Sequence, residues 1–324
     1  MNSLSANPAN DLAYQKAILG SVSRTFALTI PLLPPALEKV VGNTYLLCRI
    51  IDTIEDASQI QAEDKQALSR LFLDAVLGAM PAKRFIEESL SALEDYSNQD
   101  ELDLITHTDT VLRVLHTCPK ADQVAVCKCV AIMSEGMSRF HSKQSIEGLK
   151  DLHEFEEYCY VVAGVVGELL TTIFTNYSPE FAHNIQGHEY LALDFGQALQ
   201  MTNILKDSPE DRARGVSWKP AHVSQSELLA IAYQKLQASL RYNLLIPKRE
   251  AGMRRFCFLA LGLAIMTLEK IAQRDRHQTQ HSIKLTRNTV TLFYLFNKLA
   301  CNSDILMRCF FYFFSRRLRQ YQSS

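Results

Sequence analysis

Prolines are so widely spaced in this sequence that most of the chain must fold as long, unbroken elements. After Pro34 and Pro35, the next prolines are Pro81, Pro119 and Pro179. Between them, apolar residues recur every three or four positions, as in residues 68–76, and this period is typical of a helix with one buried face. The chain has no Asn-Gly or Asp-Gly pair, the usual signal of a tight hairpin. The pattern therefore predicts an all-α protein.

Ten helices in a single domain are predicted. The segments with helical periodicity are 36–56, 63–78, 84–96, 101–117, 121–141, 151–175, 183–206, 224–244, 249–273 and 284–298. No linker, repeat or low-complexity tract separates them, so we favour one α-helical domain across residues 1–324 over the two domains that this length also allows. Residues 1–10 are expected to be flexible, and residues 300–324 to form a terminal helix with a basic, aromatic tail.

Composition excludes several classes of protein. The 34 Lys and Arg residues are balanced by 35 Asp and Glu residues, whereas binding of nucleic acid needs a clear basic excess. The eight cysteines include no C-x-x-C pair, so we expect small buried thiols in a reducing compartment rather than disulfides or a zinc site. No basic and apolar leader opens the chain, and its longest apolar run, residues 256–268, is too short to span a bilayer. We expect a monomeric, cytoplasmic protein.

One predicted helix carries a polar stripe on an apolar surface. Residues 44–56 read TYLLCRIIDTIED, and their five leucines and isoleucines surround the helix broadly enough to predict burial. Tyr45, Arg49, Asp52 and Asp56 nevertheless fall within an arc of roughly 60°, at about 100° per residue. Charged groups on a buried helix need partners, because an unpaired buried charge is very costly.

The same pattern recurs in residues 195–211, which read FGQALQMTNILKDSPED. The polar stripe there consists of Gly196, Gln200, Asn203, Asp207 and Asp211. A glycine at the head of the stripe would let another backbone or a ligand approach closely. Pro209 lies in the last turn and cannot donate a hydrogen bond to the carbonyl of Leu205, a defect that can kink a helix.

The two acidic stripes indicate divalent cations. Two carboxylates about 6 Å apart repel by roughly 3 kcal/mol at an effective dielectric near 20. Two such pairs facing each other in an apolar cavity need cations between them, and oxygen ligands without histidine or thiolate suit Mg²⁺ or Mn²⁺. The stripes thus predict a metal-bridged diphosphate site at the mouth of an apolar helical bundle. The alternative is two solvated helix ends whose acids face water.

Four segments resemble the squalene/phytoene synthase family. They read SVSRTFALTIPLLPP (21–35), YLLCRIIDTIED (45–56), YCYVVAGVVGELL (158–170) and GQALQMTNILKDSPEDRARG (196–215), in the family's order and at its spacing. The likeness covers most of residues 15–220. The motif sequences are most similar to those of bacterial squalene synthases, which are farnesyl-diphosphate farnesyltransferases. It implies an isoprenoid-synthase helical bundle with a central apolar cavity that condenses two prenyl diphosphates head to head.

The resemblance also implies roles for individual residues. The metal ligands would be Asp52, Glu55 and Asp56 in the first motif and Asn203, Asp207 and Asp211 in the second. The substrate-binding residues would be Ser23, Arg24, Phe26, Gln200, Asn203, Lys206, Arg212 and Arg214, and the catalytic residues would be Tyr45, Arg49 and Tyr158. Lys206 stands where the family often has arginine, so it keeps the positive charge without the paired hydrogen bonds of a guanidinium.

Two questions at the predicted cavity stay open. Tyr158 either accepts or relays a proton or only orients the departing diphosphate, because a phenol with an unperturbed pKa near ~10 is a poor base unless cations lower that pKa. The candidate wall residues, which could equally be ordinary core, are Phe26, Val162, Val165, Val166 and Leu170. Gly164 and Gly167 suit close helix packing and room for a prenyl chain equally well.

The resemblance leaves three functions open. The first is squalene synthesis, in which two farnesyl diphosphates are coupled through presqualene diphosphate and the intermediate is reduced with NADPH. The second is formation of phytoene, dehydrosqualene or presqualene diphosphate without reduction, and the third is a catalytically silent interaction protein.

Residues 282–287 resemble a basic segment near NADPH in squalene synthases, which would make Lys284 and Arg287 cofactor-binding residues. The alternative for these two cations is exposure at a helix N-terminus.

The C-terminal run CFFYFFSRRLRQYQSS is aromatic and then basic. It is too short to cross a bilayer. It either rests peripherally on the inner membrane face, near a greasy substrate and product, or packs on the core as a terminal helix whose basic residues suit the helix dipole.

Overall fold

The described residues are helical almost throughout, which confirms the predicted all-α class. The structure, a computed structural model, describes residues 7–23, 25–57, 59–94, 97–142, 144–277 and 283–322, and of residues 275–277 the backbone alone. Within these ranges there is no strand, and the one extended pairing is a parallel bridge between Leu149 and Pro220. The chain divides into two compact units, residues 1–142 and residues 143–324, so the single-domain organisation stays a prediction.

The first unit contains eight helices in the part of it that the structure describes. They are α1 (Pro8–Val22), α2 (Phe26–Thr29), α3 (Pro35–Asp56), α4 (Ala62–Val76), α5 (Ala82–Leu93), α6 (Gln99–Thr106), α7 (Thr108–His116) and α8 (Lys120–His141), with a 3₁₀ turn at Ile30–Leu32. The Asn7 side chain caps α1 by accepting a hydrogen bond from the Ala9 amide at 3.0 Å. Helix therefore occupies residues 8–10 of the stretch expected to be flexible, while residues 1–6 lie outside the described residues.

The second unit contains the remaining helices of the described chain. They are α9 (Leu152–Cys159), α10 (Val165–Tyr177), α11 (Pro179–Ile185), α12 (Tyr190–Ala213), α13 (Gln225–Leu245), α14 (Ala251–His277), α15 (Arg287–Ala300) and α16 (Asp304–Phe314). A π-helical segment, Tyr160–Gly164, joins α9 to α10, and a 3₁₀ turn covers Leu318–Gln322. The terminal helix and tail predicted for residues 300–324 thus take the form of α16 and this turn.

The apolar surface of α3 fixes the direction of its polar stripe. Its leucines and isoleucines at positions 46, 47, 50, 51 and 54 are all fully buried at 0% exposure, as the sequence predicts. α3 packs against α1, α4 and α8. Burial of each such side chain contributes roughly 1.5–3 kcal/mol, so rotation of the helix about its axis would be very costly.

Glycines bring α12 into backbone contact with the π-helical segment and α10. A Cβ on Gly196 would lie 2.0 Å from the carbonyl oxygen of Ala163, and one on Gly167 would lie 2.1 Å from the carbonyl oxygen of Ala192. A Cβ on Gly164 would lie 2.8 Å from a leucine side chain of α12. Backbone atoms cannot rotate away as a side chain can, so no side chain fits at the first two positions. These glycines serve close helix packing.

One predicted helix, residues 101–117, is broken at His107. The Thr106 hydroxyl donates to the Leu102 carbonyl at 2.8 Å, and the Thr108 hydroxyl donates to the Ile105 carbonyl at 2.7 Å. Side chains that bond to nearby carbonyls offer the backbone an alternative to the regular helix. Two short helices, α6 and α7, therefore replace one long helix.

Two further interruptions lie in the second unit. The predicted helix 151–175 contains the π-helical segment, and the predicted helix 183–206 is broken after Ile185, where Gly187 has a φ of 78°. Glycine adopts a positive φ at little cost. π-helical turns occur frequently at functional sites, and this one begins two positions after Tyr158.

Two helical stretches are apolar and long enough to cross a membrane by length and composition alone, Leu152–Tyr177 and Ala251–Arg274. The second stretch extends on both sides of the apolar run at 256–268, which by itself is too short. In its apolar window 72% of the residues are buried inside the protein, against 50% in the first stretch. Such burial is typical of a core helix, and α14 packs against α12, α13, α15 and α16.

The cysteines behave as small apolar residues. All eight are free thiols, and six of them are buried, whereas Cys127 is partly exposed and Cys309 is exposed. Burial raises the pKa of the Cys159 and Cys257 thiols far above the usual range. These two side chains therefore stay protonated and unreactive, as the sequence suggests for a structural cysteine.

Candidate active site

The polar stripe of α3 contains an ion-paired arginine beside two carboxylates. The Arg49 guanidinium binds the Glu101 carboxylate of α6, and its Nη1 lies 3.9 Å from Oδ2 of Asp52. Asp52 keeps 32% of its side-chain surface exposed, and Asp56, one turn further along, is exposed. We call Asp52 and Asp56 the first acidic row. Both carboxylates are therefore accessible to a cation from outside the unit.

The electrostatics of the first acidic row favour addition of positive charge. The pKa of Asp52 is raised to about 7, chiefly because the protein withdraws the carboxyl from water and next because of the negative charge of Asp56. Glu101 raises this pKa further, and only the Arg49 guanidinium opposes the rise. Ionised Asp52 is thus unfavourable as the site stands, and a divalent cation between the carboxylates would relieve the repulsion.

The loop before α2 brings together three of the predicted residues. The Ser23 hydroxyl oxygen accepts a hydrogen bond from the Phe26 amide at 3.0 Å, and the Phe26 ring lies 5.0 Å from the Tyr45 ring. The Tyr45 hydroxyl donates to the Val22 carbonyl at 3.2 Å, and burial raises the pKa of Tyr45. Arg24, the remaining predicted residue of this loop, lies outside the described residues. Ser23, Phe26 and Tyr45 therefore form one cluster at the start of the polar stripe.

Glu55, in contrast, is separated from the first acidic row. Its side chain is buried and accepts a hydrogen bond from the Ser69 hydroxyl at 3.3 Å. Its backbone carbonyl accepts hydrogen bonds from Lys65 Nζ and from His141 Nδ1, the latter at 3.1 Å. Burial raises the pKa of the Glu55 carboxyl. These contacts with α4 and α8 anchor the end of α3, and the role of Glu55 as a metal ligand stays a prediction.

The polar stripe of α12 lies on one continuous helix. Gln200 is half-buried and Asn203 is exposed, and neither side chain has a hydrogen-bond partner among the described residues. Asp207 is half-exposed, whereas Asp211 is buried, and burial raises its pKa. We call Asp207 and Asp211 the second acidic row. Like the first, it presents a pair of oxygen ligands one turn apart.

Cations already accompany the second acidic row. Lys206 Nζ lies 3.1 Å from Oδ2 of Asp207, and Arg214 Nη2 lies 2.5 Å from Oδ1 of Asp211. Arg212 is exposed. All three are residues that the resemblance implicates in substrate binding, and two of them are bound to acids in this structure. To cover a diphosphate, Lys206 and Arg214 would exchange these carboxylates for phosphate oxygens.

Pro209 does not end the helix. α12 runs from Tyr190 to Ala213 with Pro209 inside it. The carbonyl of Leu205 loses its usual partner there, because proline has no amide hydrogen. The second acidic row, which flanks Pro209, is therefore carried by helical backbone on both sides.

Tyr158 is buried and stacked. It lies in α9 with 5% exposure, and its ring lies 4.3 Å from the Trp218 ring, with the two ring planes 6° apart. Trp218 was not among the predicted site residues. Two sequence features point to Trp218 as a site residue: it is the only tryptophan in the chain, and it follows Asp211 by seven positions.

The predicted wall and cofactor residues differ in exposure. Val162, Val166 and Leu170 are half-buried at intervals of four residues, whereas Val165 is buried in the core. Lys284 and Arg287 are exposed, and Thr286 caps α15, which begins at Arg287. The two cations thus lie at a helix N-terminus. Among the described residues, no group of three or more His, Cys, Asp or Glu side chains could hold a metal ion by itself.

A comparison with known families decides what kind of protein carries these features. The sequence pattern of the squalene/phytoene synthases matches residues 19–240, which is more than half of the chain. The chain belongs to the squalene/phytoene synthase family. The matched region of this family member contains both acidic rows, the cluster around Tyr45, and the stacked Tyr158.

Curated relatives are squalene synthases. That of Cyberlindnera jadinii is 27% identical over 323 residues, covering 89% of this chain and 68% of the relative. Squalene synthase ERG9 of Saccharomyces cerevisiae is 29% identical over 209 residues, covering 64% and 45%, respectively. Botryococcus squalene synthase of Botryococcus braunii is 30% identical over 200 residues, covering 62% and 40%. The chain therefore spans between about two fifths and two thirds of the length of these relatives, which are eukaryotic rather than bacterial.

Solved structures of the family share the fold. A structure of TcSQS in complex with the ligand BPH1237 has a TM-score of 0.75 at 19% identity and covers 97% of this chain and 100% of that chain. A dehydrosqualene synthase in complex with a ligand has a TM-score of 0.51 at 19% identity, covering 90% and 96%. These likenesses confirm the predicted isoprenoid-synthase helical fold.

Proposed function

We propose that this protein condenses two farnesyl diphosphates head to head, through presqualene diphosphate, and reduces the intermediate to squalene with NADPH. The observation that carries the proposal is the pair of acidic rows on α3 and α12, each accompanied on its own helix by a cation and amide or phenol groups, in a chain of the squalene/phytoene synthase family. The similarity to squalene synthases of Cyberlindnera jadinii and Saccharomyces cerevisiae supports squalene as the product.

The residues of both rows suit Mg²⁺, with Mn²⁺ as a substitute. All of their donor atoms are oxygens, which these cations prefer. The pKa of Asp52 is raised chiefly by withdrawal of its carboxyl from water and next by the charge of Asp56, and a bound cation would oppose both effects. Asp52 and Asp56 would hold metal on α3, and Asp207, Asp211 and Asn203 would do so on α12. When bound, the metal neutralises the charge that develops on the departing diphosphate.

Cationic side chains bind the diphosphate groups, and apolar side chains bind the prenyl chains. Lys206, Arg212 and Arg214 follow or flank the second acidic row and donate hydrogen bonds to phosphate oxygens, which stabilises the leaving group. Val162, Val166 and Leu170 line the space for the prenyl chains, and Gln200 would join Asn203 at the metal and the diphosphate. Such a lining excludes water, which would otherwise capture the allylic carbocation.

Tyr158, Tyr45 and Arg49 are the candidate catalytic residues. The Tyr158 hydroxyl either relays a proton or orients the diphosphate that leaves in the first half-reaction. Arg49, held by Glu101 and close to Asp52, orients the first acidic row. Tyr45 lies between that row and the Ser23 and Phe26 loop, and its hydroxyl is positioned by the carbonyl of Val22.

The reductive step distinguishes squalene synthesis from the non-reductive alternative. Exposed Lys284 and Arg287 at the start of α15 are the residues that we assign to NADPH, because a helix N-terminus and two cations suit phosphate oxygens. Without reduction, the product would be phytoene, dehydrosqualene or presqualene diphosphate.

One incubation separates these functions. Purified protein is supplied with Mg²⁺ and farnesyl diphosphate, with and without NADPH, and the released diphosphate and the hydrocarbon are measured. A parallel incubation contains geranylgeranyl diphosphate instead. Squalene formed only with NADPH supports the proposal. Dehydrosqualene or presqualene diphosphate formed at saturating NADPH indicates the non-reductive function. No diphosphate release from farnesyl or geranylgeranyl diphosphate indicates the silent interaction protein.

Substitutions test the metal ligands directly. Asp52→Asn and Asp207→Asn should each lower turnover by about 10²–10³-fold, because each removes a charge that acts where diphosphate leaves. Helical content in circular dichroism should not change. Glu210→Gln is the matched control, since Glu210 is exposed on the same helix but outside the row. Wild-type turnover in either Asp variant contradicts the metal-binding role.

The proposal includes a peripheral contact with a membrane through the C-terminal region. Leu292, Leu295 and Leu299 lie within roughly 60° of one face of α15 and are 67%, 53% and 70% exposed. Ile305 and Phe313 are exposed on α16. Residues 283–322 contain seven Lys or Arg residues and one Asp. Exposed apolar side chains within a basic segment favour the surface of an anionic bilayer.

Cosedimentation with lipid vesicles tests this contact. The full chain should bind vesicles with anionic lipid better than zwitterionic ones, and joint replacement of the three α15 leucines by Gln should weaken binding at least about tenfold, from the loss of buried apolar area. Leu77→Gln, an exposed leucine of the first unit, is the matched control. Equal binding by all variants contradicts the contact. Light scattering at several concentrations checks the expected monomer of 36.7 kDa.

A further inference from the structure

The stacked pair of Tyr158 and Trp218 connects two parts of the proposed site. Trp218 is half-buried and lies in the segment after α12, whereas Tyr158 is buried in α9, sixty positions earlier in the chain. Their ring planes are 6° apart, so one face of the phenol is covered by the indole. Stacked aromatic rings restrict each other's side-chain torsions. The orientation of Tyr158 therefore depends on where the segment after α12 lies.

The segment of Trp218 is attached to the second acidic row at its beginning. The Val216 amide donates to the carbonyl of Asp211 at 3.0 Å, and Arg214 bonds to the carboxylate of Asp211. Gly215 turns the chain between them with a φ of 81°. Trp218 thus follows the end of the row after one tight turn.

The same segment is attached to the entrance of α9. The Ser217 amide donates to the Ser145 carbonyl at 2.9 Å, the Leu149 amide donates to the Lys219 carbonyl at 3.1 Å, and the Ala221 amide donates to the Leu149 carbonyl at 3.0 Å. These bonds form a short clamp between the segment and the residues that lead into α9. α9 itself starts at Leu152, three positions after Leu149, and Tyr158 lies in its second turn.

Gly148 makes the clamp possible. It has a φ of 88°, and a Cβ at this position would lie 2.1 Å from the carbonyl oxygen of Lys219. A side chain would therefore push the two segments of the clamp apart. The close approach indicates that the path of the chain next to Trp218 is held tightly.

We propose that Trp218 is a positioning residue for Tyr158: its indole holds the phenol in its reactive orientation and links that orientation to the end of α12 that carries the second acidic row. The inference rests on the proposed function, because it assigns Tyr158 to the reaction. A hydroxyl that relays a proton or orients a diphosphate must be held closely, since a misplacement of about 1 Å can cost about 10²-fold in rate. The indole supplies this restraint from a residue that need not touch the substrate.

Two substitutions of Trp218 test the proposal with Mg²⁺ and farnesyl diphosphate. Trp218→Leu keeps bulk but removes the flat face, and it should lower kcat for diphosphate release by about tenfold to hundredfold, with KM for the substrate unchanged within about threefold. Trp218→Phe restores a stacking face and should recover most of kcat. A Trp218→Leu variant with wild-type kcat, or a Trp218→Phe variant that is as slow as Trp218→Leu, overturns the proposal.

A double-mutant cycle separates positioning from a general structural role. If Trp218 acts through the Tyr158 hydroxyl, Trp218→Leu should have almost no further effect on kcat in a Tyr158→Phe background. The same fold-loss in both backgrounds would show that Trp218 acts elsewhere. Wild-type kcat in Tyr158→Phe alone overturns the proposal as well.

Tryptophan fluorescence supplies a test that does not depend on turnover or on the folding of Trp218 variants. Because Trp218 is the only tryptophan, the emission of the full chain reports this position alone. Tyr158→Leu should shift the emission to longer wavelength as the indole loses its cover, while Tyr177→Leu, an exposed tyrosine of α10, should not. An unchanged emission in Tyr158→Leu overturns the proposal.

The outcomes distinguish this inference from the proposed function. A wild-type protein that releases no diphosphate refutes the proposed function, and the inference with it. An active wild type whose Trp218→Leu variant is equally active refutes the inference alone.

Discussion

Replacement of Gly196 by Ala tests whether backbone contact between α12 and the π-helical segment holds the second unit together. The new Cβ would lie 2.0 Å from the carbonyl oxygen of Ala163, 2.6 Å from its carbonyl carbon and 2.8 Å from Cα of Gly164. All three obstacles are backbone atoms. They cannot move aside by rotation of a side chain, so the two helical segments must separate.

The size of the effect follows from this separation. Carbon and oxygen atoms that do not bond approach to roughly 3.0–3.5 Å, so relief of the overlap moves the segments apart by about 1 Å. Overpacking of this kind costs about 1–3 kcal/mol and occasionally more, and an obstacle made of backbone belongs at the upper end. For a unit of this size, about 3 kcal/mol lowers the melting temperature by about 6–12 °C.

Thermal unfolding followed by circular dichroism and by Trp218 fluorescence measures the effect. Gly20→Ala is the matched control, because a Cβ on Gly20 of α1 meets nothing within 4 Å. Alanine in a helix interior is favoured over glycine by about 1 kcal/mol, so this variant should melt slightly higher than the wild type. Gly196→Ala should also lower kcat, because the displacement of α12 in this variant would move Asp207 and Asp211 away from Tyr158.

A Gly196→Ala protein that melts within experimental error of the wild type would refute the reasoning. It would mean that α12 and the π-helical segment are not in backbone contact in solution. The same result in Gly20→Ala carries no such meaning, since that change is expected to be mild.

Three further predictions concern single contacts. Lys65→Met should lower the free energy of unfolding in urea by about 1–3 kcal/mol, because the Glu55 carbonyl loses a charged donor and the Glu55 carboxyl loses the cation that lowers its pKa. Lys128→Met, at an exposed position, should be neutral. Burial and the nearby Lys65 lower the pKa of His141 from 6.5 to about 4. The unfolded chain therefore takes up a proton first as the pH falls below 6.5, and His141→Gln should remove about 2 kcal/mol of the loss in unfolding free energy between pH 7 and pH 5. Gly148→Ala should lower the melting temperature through strain at a φ of 88° and the 2.1 Å overlap with a carbonyl oxygen, and no decrease would contradict the clamp.

The acidic rows show what residue spacing can predict. Asp52 and Asp56, like Asp207 and Asp211, are one helical turn apart, so a helix places each pair on one face whatever surrounds it. The burial of the α3 leucines and isoleucines is predictable for the same reason. These features depend on neighbours in the chain and on the helical period alone.

Glu55 and Trp218 show where such prediction ends. Glu55 is three positions from Asp52, and the sequence gives no means to decide whether its carboxylate joins the acidic row or accepts a hydrogen bond from Ser69 in α4. The stacking of Trp218 on Tyr158 joins residues sixty positions apart. Both outcomes depend on which helices pack beside each other.

The amino-acid sequence by itself determined that this chain is helical, which residues share a helix face, and to which family its motifs are similar, because these properties arise from local periodicity and from the order of short segments. Only the tertiary structure decided that Gly167 and Gly196 serve backbone contact, that Glu55 anchors the end of α3, and that an indole covers Tyr158. The physical reason is that packing energies act between residues far apart in the chain, and the partner of a side chain is set when the helices meet.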